Sequence, residues 1–158
     1  MFSYEVLGTV IAFLAASIVA CCGCSGSAIG VGLVGQTASG VLTVKRQLFS
    51  HALVLQILPG TQALYGIVVW FCALMTLGFF GDGLTLLSWE DGCKFFAACI
   101  PMALGGLAAI PQGRLCAEGL MTMARRPEGL SKSILMAVMV EFYSILSLLA
   151  TFLMLNQF

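Results

Sequence analysis

Charge is scarce in this chain. Only 9% of its 158 residues are Asp, Glu, Lys or Arg, while 60% are hydrophobic. Soluble domains carry about 25% charged residues, so a water-facing globule is excluded. Histidine occurs once, as His51, which leaves no basis for a histidine-built metal centre. There is no glycine-rich P-loop, so the chain lacks that nucleotide-binding signature. A basic n-region is missing too, because the sequence opens Met1-Phe2-Ser3-Tyr4-Glu5. That argues against processing at Ile18-Val19-Ala20-Cys21, which resembles a lipoprotein cleavage site and would cut the first apolar stretch in half.

What the chain does have is apolar length, with a mean hydropathy of +1.05. Apolar stretches run at roughly 5–44, 51–80, 93–124 and 133–157, each longer than the ~20 residues that cross a hydrocarbon core. The expectation is an all-α integral membrane protein with four transmembrane helices. No room is left for a soluble domain, so chemistry on soluble substrates would fall to partners. The connection between spans one and two carries Lys45 and Arg46; that between spans three and four carries Arg125, Arg126 and Lys132 beside Glu128. The middle connection is acidic, with Asp82, Glu90 and Asp91 against Lys94. Basic loops stay cytoplasmic, which places both termini and the 80–93 loop outside.

The seven cysteines lie mostly inside these stretches, where cysteine behaves as a small hydrophobe. Cys21, Cys22 and Cys24 lack a further ligand for a metal, and the run has no functional reading.

Sliding the sequence along itself by 79 residues aligns its halves: Gly40 meets Gly119, Arg46 meets Arg125, and Gln62 meets Glu141. Each half, 1–80 and 81–158, reads as a helical hairpin, and the two insert in the same orientation as parallel repeats. The first helix of each unit is rich in small residues, among them Gly23, Gly26, Ser27, Gly30, Gly32 and Gly35, then Gly105, Gly106 and Gly113. Glycine costs about 1 kcal/mol against alanine in a helix, so this concentration implies close backbone approach and favours packing of many copies in a ring.

Glu141 is the one acid inside the fourth stretch. A carboxylate at membrane depth costs at least ~2.5 kcal/mol and by default marks an ion path. Interhelical polar contacts return only about 0.6–2 kcal/mol, so structural glue alone explains it poorly. Leu58, Thr61, Gln62 and Tyr65 share a helix face at i, i+3, i+4 and i+7. Thr61 and Gln62 offer hard oxygens, and Leu58 offers its carbonyl where Pro59-Gly60 distorts the helix. Span three adds Gln112 within Pro111-Gln112-Gly113, again beside an expected kink, and Ser144 lies one turn past Glu141. About five oxygens with one negative charge suit a monovalent cation, because the loaded site is neutral; divalent ions want more carboxylates. From the loop ends, Glu141 lies about 13 Å deep and Gln62 about 16 Å at the helical rise, so their levels agree. Arg114 and Glu118, at i and i+4, are expected to pair on span three.

The run Gln56-Ile57-Leu58-Pro59-Gly60-Thr61-Gln62-Ala63-Leu64-Tyr65-Gly66, with Pro111-Gln112-Gly113 and Val140-Glu141-Phe142-Tyr143, resembles the rotor-ring proteolipids of V-type and A/V-type rotary ATPases, in their duplicated double-hairpin form. The resemblance covers essentially the whole chain. It implies a homo-oligomeric ring in lipid, turning against a stator membrane subunit with an essential arginine, with a central stalk docked on the cytoplasmic loops. Nucleotide chemistry would sit in a separate head, so this subunit would be non-catalytic, with no permanent cofactor and no nucleic-acid partner. It also implies that Leu58, Thr61, Gln62, Gln112 and Glu141 hold transported sodium, with Tyr65 as a latch, in a bacterial plasma membrane. The inner-helix run Cys21-Cys22-Gly23-Cys24 is unusual for the family. Lys45, Arg46, Arg125 and Arg126 serve either as stalk contacts or as topology determinants. A proton-carrying ring, an independent four-helix transporter and a structural scaffold are the other readings.

Overall fold

The computed structural model describes residues 4–81, 83–126 and 129–158. Asp82 and Glu128, counted among the loop charges, lie outside the described residues, as do Met1, Phe2, Ser3 and Pro127. The described residues form helices and turns without a strand. Four helical spans among the described residues are long and apolar enough to cross a membrane: Val6–Val44, Arg46–Thr76, Trp89–Arg125 and Leu130–Leu155. The shortest has 26 residues, about 39 Å at the helical rise, against a hydrocarbon core of about 30 Å.

The first span is a single helix, α1 (Tyr4–Val44). The second is broken: a 3₁₀ turn (Arg46–Leu48), α2 (Phe49–Ile57), a second 3₁₀ turn (Leu58–Gly60) and α3 (Thr61–Thr76). The third comprises α4 (Trp89–Gly106) and α5 (Ala109–Arg125), and the fourth is α6 (Leu130–Leu155). The end of α3 is set by Gly78, whose φ of +71° suits glycine. The Phe79 amide bonds to the Leu74 carbonyl at 3.0 Å and the Gly78 amide to Met75 at 3.0 Å, a Schellman closure. Ser88 caps α4 by accepting from the Asp91 amide at 3.2 Å, and Glu90 and Asp91 occupy its first turn, where acids complement the helix dipole.

Helix α1 packs against α3, α4 and α5, while α6 lies chiefly on α4 and α5. Glycines make the α1 crossing possible. A Cβ on Gly26 would collide with the Gly106 carbonyl oxygen, and one on Gly113 would stand 2.5 Å from the Gly30 Cα. Backbones this close leave no room for a side chain. Gly32 and Gly40 differ, for a Cβ there meets nothing within 4 Å. Their smallness is therefore not used inside the chain.

Prolines set the breaks, though not all where expected. At Pro59 the helix tightens into the turn Leu58–Gly60. On span three the break falls at Leu107–Ala108, ahead of the expected kink at Pro111-Gln112-Gly113. The reason is steric: a proline ring clashes with the carbonyl four residues earlier, and for Pro111 that residue is Leu107. The Ile110 amide bonds to Leu107 at 3.1 Å instead, in a 3₁₀ pattern.

Two apolar clusters fill the interior. One gathers Ala12, Val19, Val69, Phe95 and Met102, the other Val34, Leu55, Cys116, Leu120 and Met123. Between their positions along every span lies the buried polar layer of Gln62, Gln112 and Glu141.

Candidate functional site

Each contributor to this layer is delivered by a break or a bare helix face. The turn at Leu58–Gly60 places Thr61 and Gln62 as the first residues of α3. The break at Leu107–Ala108 does the same for Gln112, in the first turn of α5. Glu141 comes from mid-helix in α6, which is unbroken.

Gln62 and Gln112 are fully buried, and Glu141 is 8% exposed. Both carboxylate oxygens of Glu141 are occupied. Oε1 accepts from the Thr61 hydroxyl at 2.6 Å and the Tyr65 hydroxyl at 2.7 Å. Oε2 accepts from Gln112 Nε2 at 2.7 Å and Gln62 Nε2 at 3.2 Å. The amides are tied to each other, with Gln62 Nε2 donating to Gln112 Oε1 at 2.6 Å. Gln112 Nε2 also donates to the Ala137 carbonyl at 3.2 Å. Four neutral donors thus surround one acid, and among the described residues the only ion pair is Lys94–Asp91, at 3.1 Å. No cationic side chain neutralises Glu141 within the described chain.

Thr61 Oγ1 has a second set of neighbours. It lies 2.9 Å from the Leu58 carbonyl oxygen and 3.3 Å from Gln62 Oε1. The Leu58 carbonyl, the Thr61 hydroxyl, Gln62 Oε1 and Glu141 Oε1 therefore form an oxygen-rich corner in which the Thr61 hydrogen has several acceptors and the Tyr65 hydroxyl also serves Glu141. Such a corner suits either a proton moving between oxygens or a hard monovalent cation.

The six site residues of the sequence reading, Leu58, Thr61, Gln62, Tyr65, Gln112 and Glu141, come together here. Ser144 does not join them: it is buried, but its hydroxyl donates to the Gly105 carbonyl at 3.1 Å. The expected Arg114–Glu118 pair is not formed either, and both side chains are exposed. Helical spacing permits that pair, but exposed partners gain little from it. Arg46, Arg125 and Arg126 are exposed on the two turns at one end of the bundle, where Lys45 is half-buried. All seven cysteines are free thiols.

Two contributors escaped the sequence reading. One is the Ala137 carbonyl, which stands one repeat interval from Leu58. The other is Ser27, whose Oγ accepts from the Ala63 amide at 2.9 Å. The 79-residue alignment contained the signal for the first, whereas Ser27 had read only as a small packing residue.

Comparison with known proteins bears on this site. The family model for the C subunit of ATP synthase matches residues 7–73 and again 96–154. A V-type sodium ATPase subunit K from Enterococcus hirae is 39% identical over 148 residues, covering 93% of this chain and 91% of that protein. An A-type ATP synthase subunit K from Methanocaldococcus jannaschii is 35% identical over 150 residues, covering 95% of this chain and 62% of its own length.

Proposed function

The chain belongs to the ATP synthase C-subunit family, and from that premise we propose that it is a sodium-carrying rotor subunit of a V-type or A-type rotary ATPase. It is a multi-pass integral membrane protein, with four apolar membrane-spanning helices. Its two hairpins, 1–80 and 81–158, carry one ion between them, and identical copies form a ring. The glycines left open within the chain, Gly32 and Gly40, support packing of α1 against another copy. ATP chemistry belongs to a separate head, so the subunit itself is non-catalytic.

The observation that carries the reading is the cage around Glu141: four neutral donors, no cation among the described residues and two converging amides. A structural carboxylate would be expected to rest against a cation; a carrier keeps its charge for a removable one. Sodium sits between Glu141 and the oxygens of Leu58, Thr61 and Gln62, and Gln112 turns its amide oxygen inward to complete the shell. Amide rotation is a soft motion. Tyr65 then latches the loaded carboxylate inward while the ring turns. At the stator, an arginine attracts the emptied carboxylate and displaces the ion. Exposed Arg46, Arg125 and Arg126 offer the central stalk its docking points. Both termini face outward, in a bacterial plasma membrane. Sodium is favoured over the proton by the two glutamines and by the name of the Enterococcus relative, a sodium ATPase subunit.

A proton-carrying ring is the second reading, and one contact favours it. When the Thr61 hydroxyl donates to Leu58 at 2.9 Å, its oxygen is free to accept from a protonated Glu141 at 2.6 Å.

The test is Glu141→Gln in the assembled enzyme. Ion uptake should stop while the ring still forms. Uptake at the normal rate would refute the carrier role.

A further inference from the structure

Ser27 lies on α1, a helix with no side chain hydrogen-bonded to Glu141 among the described residues, and is 4% exposed. Several other hydroxyls of α1 fold back on their own helix, although Thr9 accepts the Leu87 amide at 3.0 Å. Ser17 donates to Phe13 at 2.9 Å, Thr37 to Leu33 at 3.2 Å and Ser39 to Gly35 at 2.9 Å. Ser27 reaches across instead, accepting the Ala63 amide at 2.9 Å.

That amide belongs to the first turn of α3, directly after the 3₁₀ turn Leu58–Gly60, where the regular ladder of helix bonds changes pattern. Water satisfies such amides at a surface, but in a membrane interior a protein group must do so. A hydroxyl from another helix also meets a backbone amide in the second half: inside α4, beside Pro101, the Met102 amide bonds to the Thr151 hydroxyl at 3.0 Å. Ser27 is flanked by glycines that press α1 onto this turn. A Cβ on Gly23 would stand 2.9 Å from the Gln62 carbonyl oxygen, and one on Gly30 would stand 2.9 Å from Pro59 Cβ. The segment Gly23–Gly30 is thus a cradle for Pro59–Ala63, and Ser27 is its one polar anchor to α3. Ala63 directly follows Thr61 and Gln62, which donate to opposite oxygens of Glu141.

We propose that Ser27 is a positioning residue of the ion site. Its hydroxyl fixes the first turn of α3 and thereby holds Thr61 and Gln62 at binding distance from Glu141. The proposal rests on the reading of Glu141 as the ion carrier. Without the hydroxyl, the Ala63 amide must find another acceptor, and the turn carrying two of the ion's ligands shifts with it.

The experiment uses purified rings of the wild type, Ser27→Ala, Ser27→Cys and Ser27→Thr. Equilibrium binding of radioactive sodium is measured on each, beside thermal stability of the ring. The expected result is about tenfold weaker binding for Ser27→Ala, with Ser27→Thr near the wild type. Any assembled ring lacking the hydroxyl, alanine or cysteine, that binds sodium as the wild type does would overturn the role. So would alanine and threonine variants that weaken equally. If the wild type itself binds no sodium, the sodium reading falls and Ser27 is judged on carbodiimide labelling of Glu141 against pH. A midpoint moved by about one unit in Ser27→Ala, tenfold in proton affinity, upholds it; an unmoved midpoint overturns it.

Discussion

Gln62 Nε2 donates to Glu141 Oε2 at 3.2 Å, and the two residues are separated by 79 positions, the interval that aligns the halves of the chain. Equivalent residues of two repeats therefore meet at one site. Had both been acids, two like charges would share a buried space, and one would be forced to hold a proton. With glutamine in the first half, the pair becomes one donor and one acceptor, and the double hairpin keeps a single carrier.

Tyr65→Phe removes one of the two donors on Glu141 Oε1. Loss of a charge-assisted hydrogen bond is worth about 1.5–3 kcal/mol. Sodium affinity should fall by roughly tenfold or more, while the ring assembles normally. Ion exchange followed on purified rings checks this, and release should quicken because the latch is gone.

Gln112→Ala removes the amide that bonds both to Glu141 at 2.7 Å and to the Ala137 carbonyl at 3.2 Å. Sodium binding should weaken strongly, whereas proton loading of Glu141 persists, since the Thr61 corner is untouched. ATP-driven uptake measured with and without sodium separates the two.

Thr61→Ser keeps the hydroxyl that lies 2.6 Å from Glu141 and 2.9 Å from Leu58, and Thr61→Val removes it at similar volume. Serine should retain ion binding. Valine should lose it for sodium, because one of the ion's oxygens is gone, while Glu141 still takes up protons with the Tyr65 hydroxyl left on its Oε1. Carbodiimide reactivity of Glu141 across pH reads out both variants.

Gly26→Val and Gly32→Val separate contacts within a copy from contacts between copies. A side chain at Gly26 collides with the Gly106 carbonyl, while one at Gly32 meets nothing in its own chain. Overpacking costs about 1–3 kcal/mol or more, so the Gly26 variant should fail to accumulate as a folded protein. The Gly32 variant should fold, and it should yield fewer intact rings on a native gel if α1 faces a neighbour.

The sequence made much of this site legible because its parts have strong local signatures. A lone acid in an apolar span marks Glu141, Pro59-Gly60 marks the break that starts α3, and helical spacing puts Thr61, Gln62 and Tyr65 on one face. Where reading along the chain fell short, the deciding physics acts between helices. Pro111 pushes its break back to Leu107–Ala108 through a clash one turn away. Ser144, one turn from Glu141, is drawn to the Gly105 carbonyl by the packing of α6 on α4. Ser27 matters only because α1 and α3 lie close enough for a hydroxyl to meet an amide. The direction of the two amides, nitrogen toward Glu141, likewise depends on what occupies the cage.

The most direct test is carbodiimide labelling of Glu141 on the isolated ring, with sodium titrated at several pH values. The reagent attacks the protonated carboxyl, so a sodium site predicts labelling that slows as sodium rises, in competition with protons. Labelling indifferent to sodium would contradict the sodium site and leave the proton ring. No labelling of Glu141 at any pH would contradict its role as the carrier.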